Sequence, residues 1–261
     1  MNNKRLMKQK RYNFIKIKIT VTSTTEPTQV ISNSFKGLSS IEYVTFNLWH
    51  EQDNPIHYET ALSYYFSSTG ERIGYLHFKD NITNLSDLFN DVDTITYIDL
   101  NNLDTSKVTT MTGMCLGCKA LKEIHMNKCS AQSLTAMINT FNSCSNVTTV
   151  DFGNYKDSLF RPTSKLKDIR NLFNWCINLT SIDMSMFDLS GVTLWGVTWG
   201  NCLRLTSLYI CSALNPNGTF TTNMFVNSTA SGAKIYYNTK YDMSKISAVK
   251  GSNWRMTPYN Y

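Results

Sequence analysis

The chain has 261 residues, is 42% hydrophobic and 12% aromatic, and carries a formal net charge of +6. This length and apolar content allow a sizeable core, and the lack of any run of 18 apolar residues predicts no membrane span. The charge is uneven, since residues 19–233 hold 13 basic and 18 acidic side chains. The body is therefore acidic and both ends are basic.

The N-terminal stretch is a basic arm. Its basic residues before the first acid, Glu26, are Lys4, Arg5, Lys8, Lys10, Arg11, Lys16 and Lys18. Such an arm is often only solvated, but it can also dock on an acidic surface. We expect the first five of these residues to anchor the chain in a larger assembly.

The next residues alternate between apolar and polar side chains. Ile15, Ile17, Ile19 and Val21 fall on one side, which predicts an edge strand that caps the first unit of the fold. The lysines within this segment interrupt it, so no export signal is visible.

The body of the chain is repetitive. Five segments carry apolar residues at positions 0, 3, 6, 9 and 11, counting the first residue as position 0: Phe89–Leu100, Cys115–Met126, Phe141–Phe152, Phe173–Met184 and Trp199–Ile210. Their first residues are 26, 26, 32 and 26 apart, and the longer interval predicts an outward loop at Lys156–Pro162. Phe35–Phe46, Phe66–Phe78 and Phe225–Tyr237 are weaker copies, which makes eight in all.

The spacing of the apolar positions predicts the shape of one unit. Positions 0, 3 and 6 share one face of a helical or 3₁₀ turn, and positions 9 and 11 point to one side of a short strand. One such unit cannot bury its apolar face alone, but stacked units form a continuous core. We therefore predict an α/β solenoid of about eight coils over residues 30–237, with a β cap over 1–29 and a second cap over 238–261.

Three stretches of the chain resemble the BspA-type leucine-rich repeats found in Mycoplasma and gut Bacteroidetes proteins. They are Ser34–Ile41 (SFKGLSSI), Asp104–Met111 (DTSKVTTM) and Phe173–Met184 (FNWCINLTSIDM). The segments Ala233–Tyr237 and Ser252–Trp254 are similar to the closing part of such proteins. The resemblance covers about 200 residues and implies a right-handed leucine-rich-repeat solenoid used for adhesion or protein binding.

Four of the seven cysteines occupy position 3 of a repeat: Cys118, Cys144, Cys176 and Cys202. This placement predicts a stacked row of small buried residues. Cys115 and Cys118 have the spacing of half a zinc site, but no second pair completes four ligands. We therefore expect no metal and no cofactor.

The exposed face of the predicted strand ladder carries positions 8 and 10. Its candidate partner-binding residues are Tyr43, Tyr75, His77, Tyr97, Asp99, His125, Asp151, Asp183 and Tyr209. If all units stack in order, at about 4.8 Å per strand, three tyrosines form a row beside a row of histidines and aspartates. Such a face suits ligand binding, but the same residues could serve only cross-strand pairing. For Asp99, Asp151 and Asp183 the repeat type favours the structural role.

A catalytic use of the same row is a weaker alternative. His77, Asp99 and His125 could orient one another as a general base and its partner, but no nucleophile is evident and a solenoid face is open. We expect a non-enzymatic interaction or structural protein that binds a protein partner, with no membrane contact and no nucleic-acid readout beyond non-specific contact of the basic arm. The expected setting is a bacteriophage virion, and the alternative is a bacterial cell-surface adhesin or a cytoplasmic protein.

Overall fold

The computed structural model describes residues 13–46, 56–57, 62–153 and 165–259. The expected anchoring residues Lys4, Arg5, Lys8, Lys10 and Arg11 lie outside these ranges, as does the loop predicted at Lys156–Pro162. The described strands are β1 Phe14–Val21, β2 Thr28–Gln29, β3 Ile41–Phe46, β4 Ile56–His57, β5 Ser63–Tyr64, β6 Gly70–Phe78, β7 Ile95–Asp99, β8 Glu123–His125, β9 Thr149–Asp151, β10 Ser181–Asp183, β11 Ser207–Ile210, β12 Lys234–Tyr237 and β13 Arg255–Pro258. The described helical segments are α1 Ser244–Val249 and two 3₁₀ turns, Leu38–Ser40 and Thr222–Phe225.

The N-terminal part of the fold is antiparallel. Strands β4, β3, β6 and β1 lie side by side in that order, and the free side of β1 pairs with β7. Ile15, Ile17, Ile19 and Val21 on β1 are buried, which confirms the predicted alternation. The strand pairs with β7 on one side, but it is not the predicted edge strand, because β6 covers its other side.

The eight-coil count is too high, because the first two repeat copies are not coils. Phe35–Phe46 and Phe66–Phe78 contribute β3 and β6, which pair antiparallel with each other, and β1 inserts between β6 and the first parallel strand. Their apolar spacing places side chains in the core whichever way the strand runs. The spacing alone therefore does not distinguish a coil from an antiparallel hairpin.

A solenoid begins at β7, so this part of the fold prediction is confirmed. Strands β7, β8 and β9 are parallel neighbours, and β10, β11, β12 and β13 form a second parallel sheet. Single-residue parallel bridges form another ladder on each coil, through Asn84, Thr110, Ala136, Asp168, Leu194 and Thr219. These six bridge positions define about five turns.

The units contain turns rather than helices, so the α/β label is not confirmed. In five of the six parallel units the N–H of position 3 donates to the carbonyl of position 0, as between Cys118 and Cys115 at 3.1 Å, and in the sixth the Cys202 N–H donates to the Ser228 hydroxyl oxygen instead. Position 2, which lies between positions 0 and 3, has a left-handed backbone in all six parallel copies. This conformation interrupts the helix after one turn. The single described α-helix, α1, lies in the C-terminal cap.

The core is one continuous row of buried side chains, and the position-3 cysteines are part of it. Cys118, Cys144, Cys176 and Cys202 are fully buried. Each Sγ–H donates to the position-0 carbonyl of the preceding coil, over 2.9 to 3.1 Å. Ser228 makes the equivalent bond to Trp199 in the last copy. The thiols therefore join successive coils by hydrogen bonds, in addition to filling space.

Candidate functional site

The exposed face of the large sheet carries three rows of side chains that run across the strands. The first row is Thr45, Tyr75, Lys16, Asp99, His125 and Asp151; the second is Ile73, Lys18, Tyr97, Glu123 and Thr149; the third is Tyr43, His77 and Phe14. All of these side chains are partly or fully exposed, whereas the apolar side chains of the opposite face are buried, except for the half-buried Val150. The strands thus form a rigid support for an open polar and aromatic surface.

The predicted row of three tyrosines does not form. Antiparallel pairing of β3 with β6 places Tyr43 opposite His77 and Thr45 opposite Tyr75. Strand β1 then inserts Lys16 and Lys18 between Tyr75 and Tyr97. The expectation was wrong because it assumed that all units stack in chain order.

An N-terminal aromatic group nevertheless assembles from Phe14, Tyr43, Tyr75 and His77. The Tyr43 and His77 rings stack at 4.2 Å between centroids, and Phe14 meets the Tyr75 edge at 5.4 Å. His77 Nε2 lies 3.4 Å from the Thr45 hydroxyl. Sequence reasoning missed Phe14, because its place on this face depends on β1 lying next to β6.

Tyr97 and His125 lie in the middle of the face among acidic side chains. Their ring centroids are 5.2 Å apart, and the His125 nitrogens lie 3.3 Å from Asp151 Oδ2 and 3.4 Å from Glu123 Oε2. Burial raises the pKa of Tyr97, and the charges of Asp99 and Glu123 raise it further. The centre of the face therefore has a negative electrostatic character.

The three position-10 aspartates have a structural role. One carboxylate oxygen of Asp99, Asp151 and Asp183 accepts the backbone N–H two residues later, each time at 2.8 Å. These bonds turn the chain at the end of each strand. The second oxygen remains on the face, and Asp151 Oδ2 accepts a hydrogen bond from Asn127 at 3.1 Å. The carboxylates of these aspartates can therefore hold the turn with one oxygen while the other oxygen is available for contact with a ligand.

A C-terminal aromatic group lies on the second sheet. Tyr209 and Tyr236 stack at 4.5 Å with an 11° angle between their planes, and Tyr259 meets Tyr209 edge-on at 5.7 Å. Burial raises the pKa of Tyr209, and Tyr236, Tyr259 and Asp183 raise it further. Only Tyr209 was predicted. The sequence could have predicted Tyr236 as well, because Tyr236 occupies position 10 of the last copy when the one extra residue of that copy is taken into account.

The alternative catalytic grouping is not assembled. Asp99 is the cross-strand neighbour of His125, but His77 lies on β6, and β1 separates it from Asp99. Within the residues that the structure describes, no group of three or more His, Cys, Asp or Glu side chains could hold a metal ion. Cys118 of the CxxC pair donates its thiol proton to a carbonyl instead.

The fold and this face together define a β-solenoid repeat protein with an open, solvent-exposed sheet surface. Residues 83–198 match the model of a family described as Mycoplasma protein of unknown function, DUF285. The matched part begins beside Asn84, the first residue of the single-residue ladder, and covers less than half of the chain. No curated protein and no solved structure matches the chain. In the described part of the chain, no helix is long and apolar enough to cross a membrane.

Proposed function

We propose that this chain is a non-enzymatic repeat protein that binds a protein partner through its exposed sheet face. One observation carries the proposal: half-exposed aromatic and titratable side chains converge in rows on a sheet whose other face packs its apolar side chains against the core. Rigid aromatic residues beside polar partners are what binding interfaces use. An open face suits the binding of a macromolecule better than catalysis, which uses concave sites.

The test replaces two tyrosines of this face. The double substitution Tyr75→Ala with Tyr97→Ala should abolish co-purification of the partner that is found with the wild-type chain. Quantitative mass spectrometry measures the amount of that partner. Thr109→Ala with Thr135→Ala is the matched control, because both threonines are exposed, directly precede the ladder residues Thr110 and Ala136, and donate their hydroxyl protons to carbonyls of the preceding coil. A partner that remains on the tyrosine variant at wild-type level would overturn the proposal.

We also propose a family relation and a biological location for this chain. The apolar positions and the match to a Mycoplasma family support a relation to the BspA-type leucine-rich repeats. For the setting we propose a multi-protein assembly, first of all a bacteriophage virion, in which the residues Lys4, Arg5, Lys8, Lys10 and Arg11 attach the chain. A bacterial cell-surface adhesin is the second candidate, and the bacterial family match favours it.

Deletion of residues 1–12 tests the attachment. The cut stops before β1, because loss of Phe14–Val21 would remove the centre of the sheet. We expect the shortened chain to fold but to fail to incorporate into its assembly. Unchanged incorporation would exclude the basic residues as the anchor.

A further inference from the structure

The exposed sheet face continues from the large sheet onto the second sheet, because β10 lies in contact with β9. Charge is arranged in three zones across this face. Lys16 and Lys18 lie on β1 at one side, and Lys234 and Arg255 lie on β12 and β13 at the other. Between them, positions 8 and 10 of β7–β11 hold no lysine or arginine. They carry four carboxylates, Asp99, Glu123, Asp151 and Asp183, and small polar residues at Thr149, Ser181 and Ser207.

Asp99 has Lys16 as its cross-strand neighbour on the face, whereas Glu123, Asp151 and Asp183 have no lysine or arginine as a cross-strand neighbour there. Asp99 and Asp151 lie on either side of His125, two strands apart, so their backbones are separated by about 9.6 Å. His125 is the one basic side chain at these ten positions. Burial raises the pKa of Tyr97 and of Tyr209, which lie at the two sides of the central zone. Asp99 and Glu123 raise the pKa of Tyr97 further, and Tyr236, Tyr259 and Asp183 raise that of Tyr209. Added positive charge is therefore favoured here.

Rigid aromatic groups border this acidic zone. Phe14, Tyr43, Tyr75 and His77 lie beyond β7 on one side, and Tyr209, Tyr236 and Tyr259 lie on the other. Packed aromatic side chains are typical interface anchors, and their ring faces attract cations. The Tyr97 ring already has Lys18 Nζ at 5.5 Å from its centroid. The face thus offers apolar contact at both ends and negative charge between them.

We propose that this face binds an extended polypeptide segment of a partner protein, with lysine or arginine in its middle and apolar or acidic residues at its ends. The proposal rests on the proposed function and specifies its partner. Residues that repeat from strand to strand suit an extended chain, whose side chains also recur at a regular spacing. The carboxylates would repel the phosphates of a nucleic acid, and the four outer cations favour acidic residues at the ends of the segment.

The experiment measures peptide binding by fluorescence anisotropy at about 0.15 M salt. The probe is a labelled synthetic peptide of about twelve residues, with lysines in the middle and phenylalanine and glutamate at both ends. A second peptide exchanges its lysines and glutamates. The face variant carries Asp99→Asn, Asp151→Asn and Asp183→Asn, because asparagine keeps the oxygen that accepts the backbone N–H and removes only the charge.

The matched control carries Asp87→Asn, Asp91→Asn and Asp188→Asn, which changes the net charge equally at carboxylates away from the face. We expect the dissociation constant of the lysine-centred peptide to rise roughly tenfold in the face variant and to change less than about twofold in the control. We expect the exchanged peptide to bind the wild type more weakly than the lysine-centred one.

Equal weakening in both variants, tighter binding of the exchanged peptide or no binding of the lysine-centred peptide would each overturn the basic-segment proposal. The Tyr75→Ala/Tyr97→Ala variant separates this failure from failure of the proposed function. If that variant loses its co-purifying partner although the peptide result is negative, the face remains the binding site and only the class of partner is wrong. If that partner is retained, the proposed function itself fails.

Discussion

At the residue scale, Trp175 is an exception to the backbone pattern of the repeat. Position 2 is left-handed in all six parallel copies and is occupied by Asp91, Gly117, Ser143, Trp175, Asn201 and Asn227. Trp175 has φ of 62° and is 50% exposed. A bulky side chain is strained in this region, whereas glycine and asparagine adopt it readily. The tryptophan therefore costs stability where it lies.

Trp175→Asn should raise the free energy of unfolding by about 1 kcal/mol, because it relieves that strain. Urea denaturation measures the change. Leu203→Asn is the control, since Leu203 is similarly exposed at 47% but lies outside the positive-φ positions, and we expect it to change stability little. A less stable Trp175→Asn variant would show that the indole contributes packing that outweighs the backbone strain.

The buried thiols predict a pH dependence of stability. Burial raises the pKa of Cys202 to about 12, above the value of about 8.5 for an unfolded thiol. The native state then holds the proton more tightly than the unfolded chain. The stability due to this group is complete below about pH 8.5 and is lost as the pH rises towards 12.

Cys202→Ser should therefore lose stability less steeply than the wild type between about pH 9 and 12, measured by urea denaturation at each pH. The variant should keep the fold, because Ser228 already makes the same bond one coil later. The half-exposed Cys211 provides the control, and Cys211→Ser should follow the wild-type curve. Parallel curves for wild type and Cys202→Ser would contradict the link between thiol burial and stability.

At the element scale, β1 joins the antiparallel and parallel parts of the fold. It pairs with β6 on one side and β7 on the other, and it covers the edge of β7 that would otherwise be open to other chains. Ile17 on β1 is fully buried and faces Gly74, where an added Cβ would lie 2.7 Å from the Phe46 ring. This contact leaves little space for the core to rearrange.

Ile17→Ala should lower the free energy of unfolding by about 2–5 kcal/mol, because it leaves a cavity in close-packed surroundings. Lys16→Ala, on the exposed side of the same strand, should change it by less than about 0.5 kcal/mol. Chemical denaturation of the two variants measures the difference. Equal effects of the two substitutions would mean that β1 is not held in the core as described.

The sequence predicted more of this fold than of its face. Periodic apolar positions specify which side chains are buried, so the core residues, the cysteine row and the alternation of β1 followed from the pattern. Strand order depends on pairings between distant parts of the chain, which the pattern does not encode. The sequence therefore did not show that β1 separates Tyr75 from Tyr97, and the arrangement of Phe14, Lys16 and Lys18 on the face followed only from the structure.

At the scale of the whole molecule, the chain combines an antiparallel N-terminal part with a solenoid of parallel coils, and the exposed face continues from one onto the other. Each coil adds one strand and two face positions. Buried hydrogen bonds from position 3 hold successive coils together. This arrangement gives a stiff support on which single side chains can vary, as expected of a binding surface that evolves without loss of the fold.

Site-specific photo-cross-linking tests the central claim, that the exposed sheet face contacts the partner. Single cysteines replace Thr149 and Ser181 on the face, or Thr109 and Thr135 next to the single-residue ladder, in a Cys211→Ser background whose remaining thiols are buried. Each carries a benzophenone maleimide. We predict cross-links to the co-purifying partner from positions 149 and 181 and none from 109 and 135. Cross-links from 109 and 135 alone would contradict it.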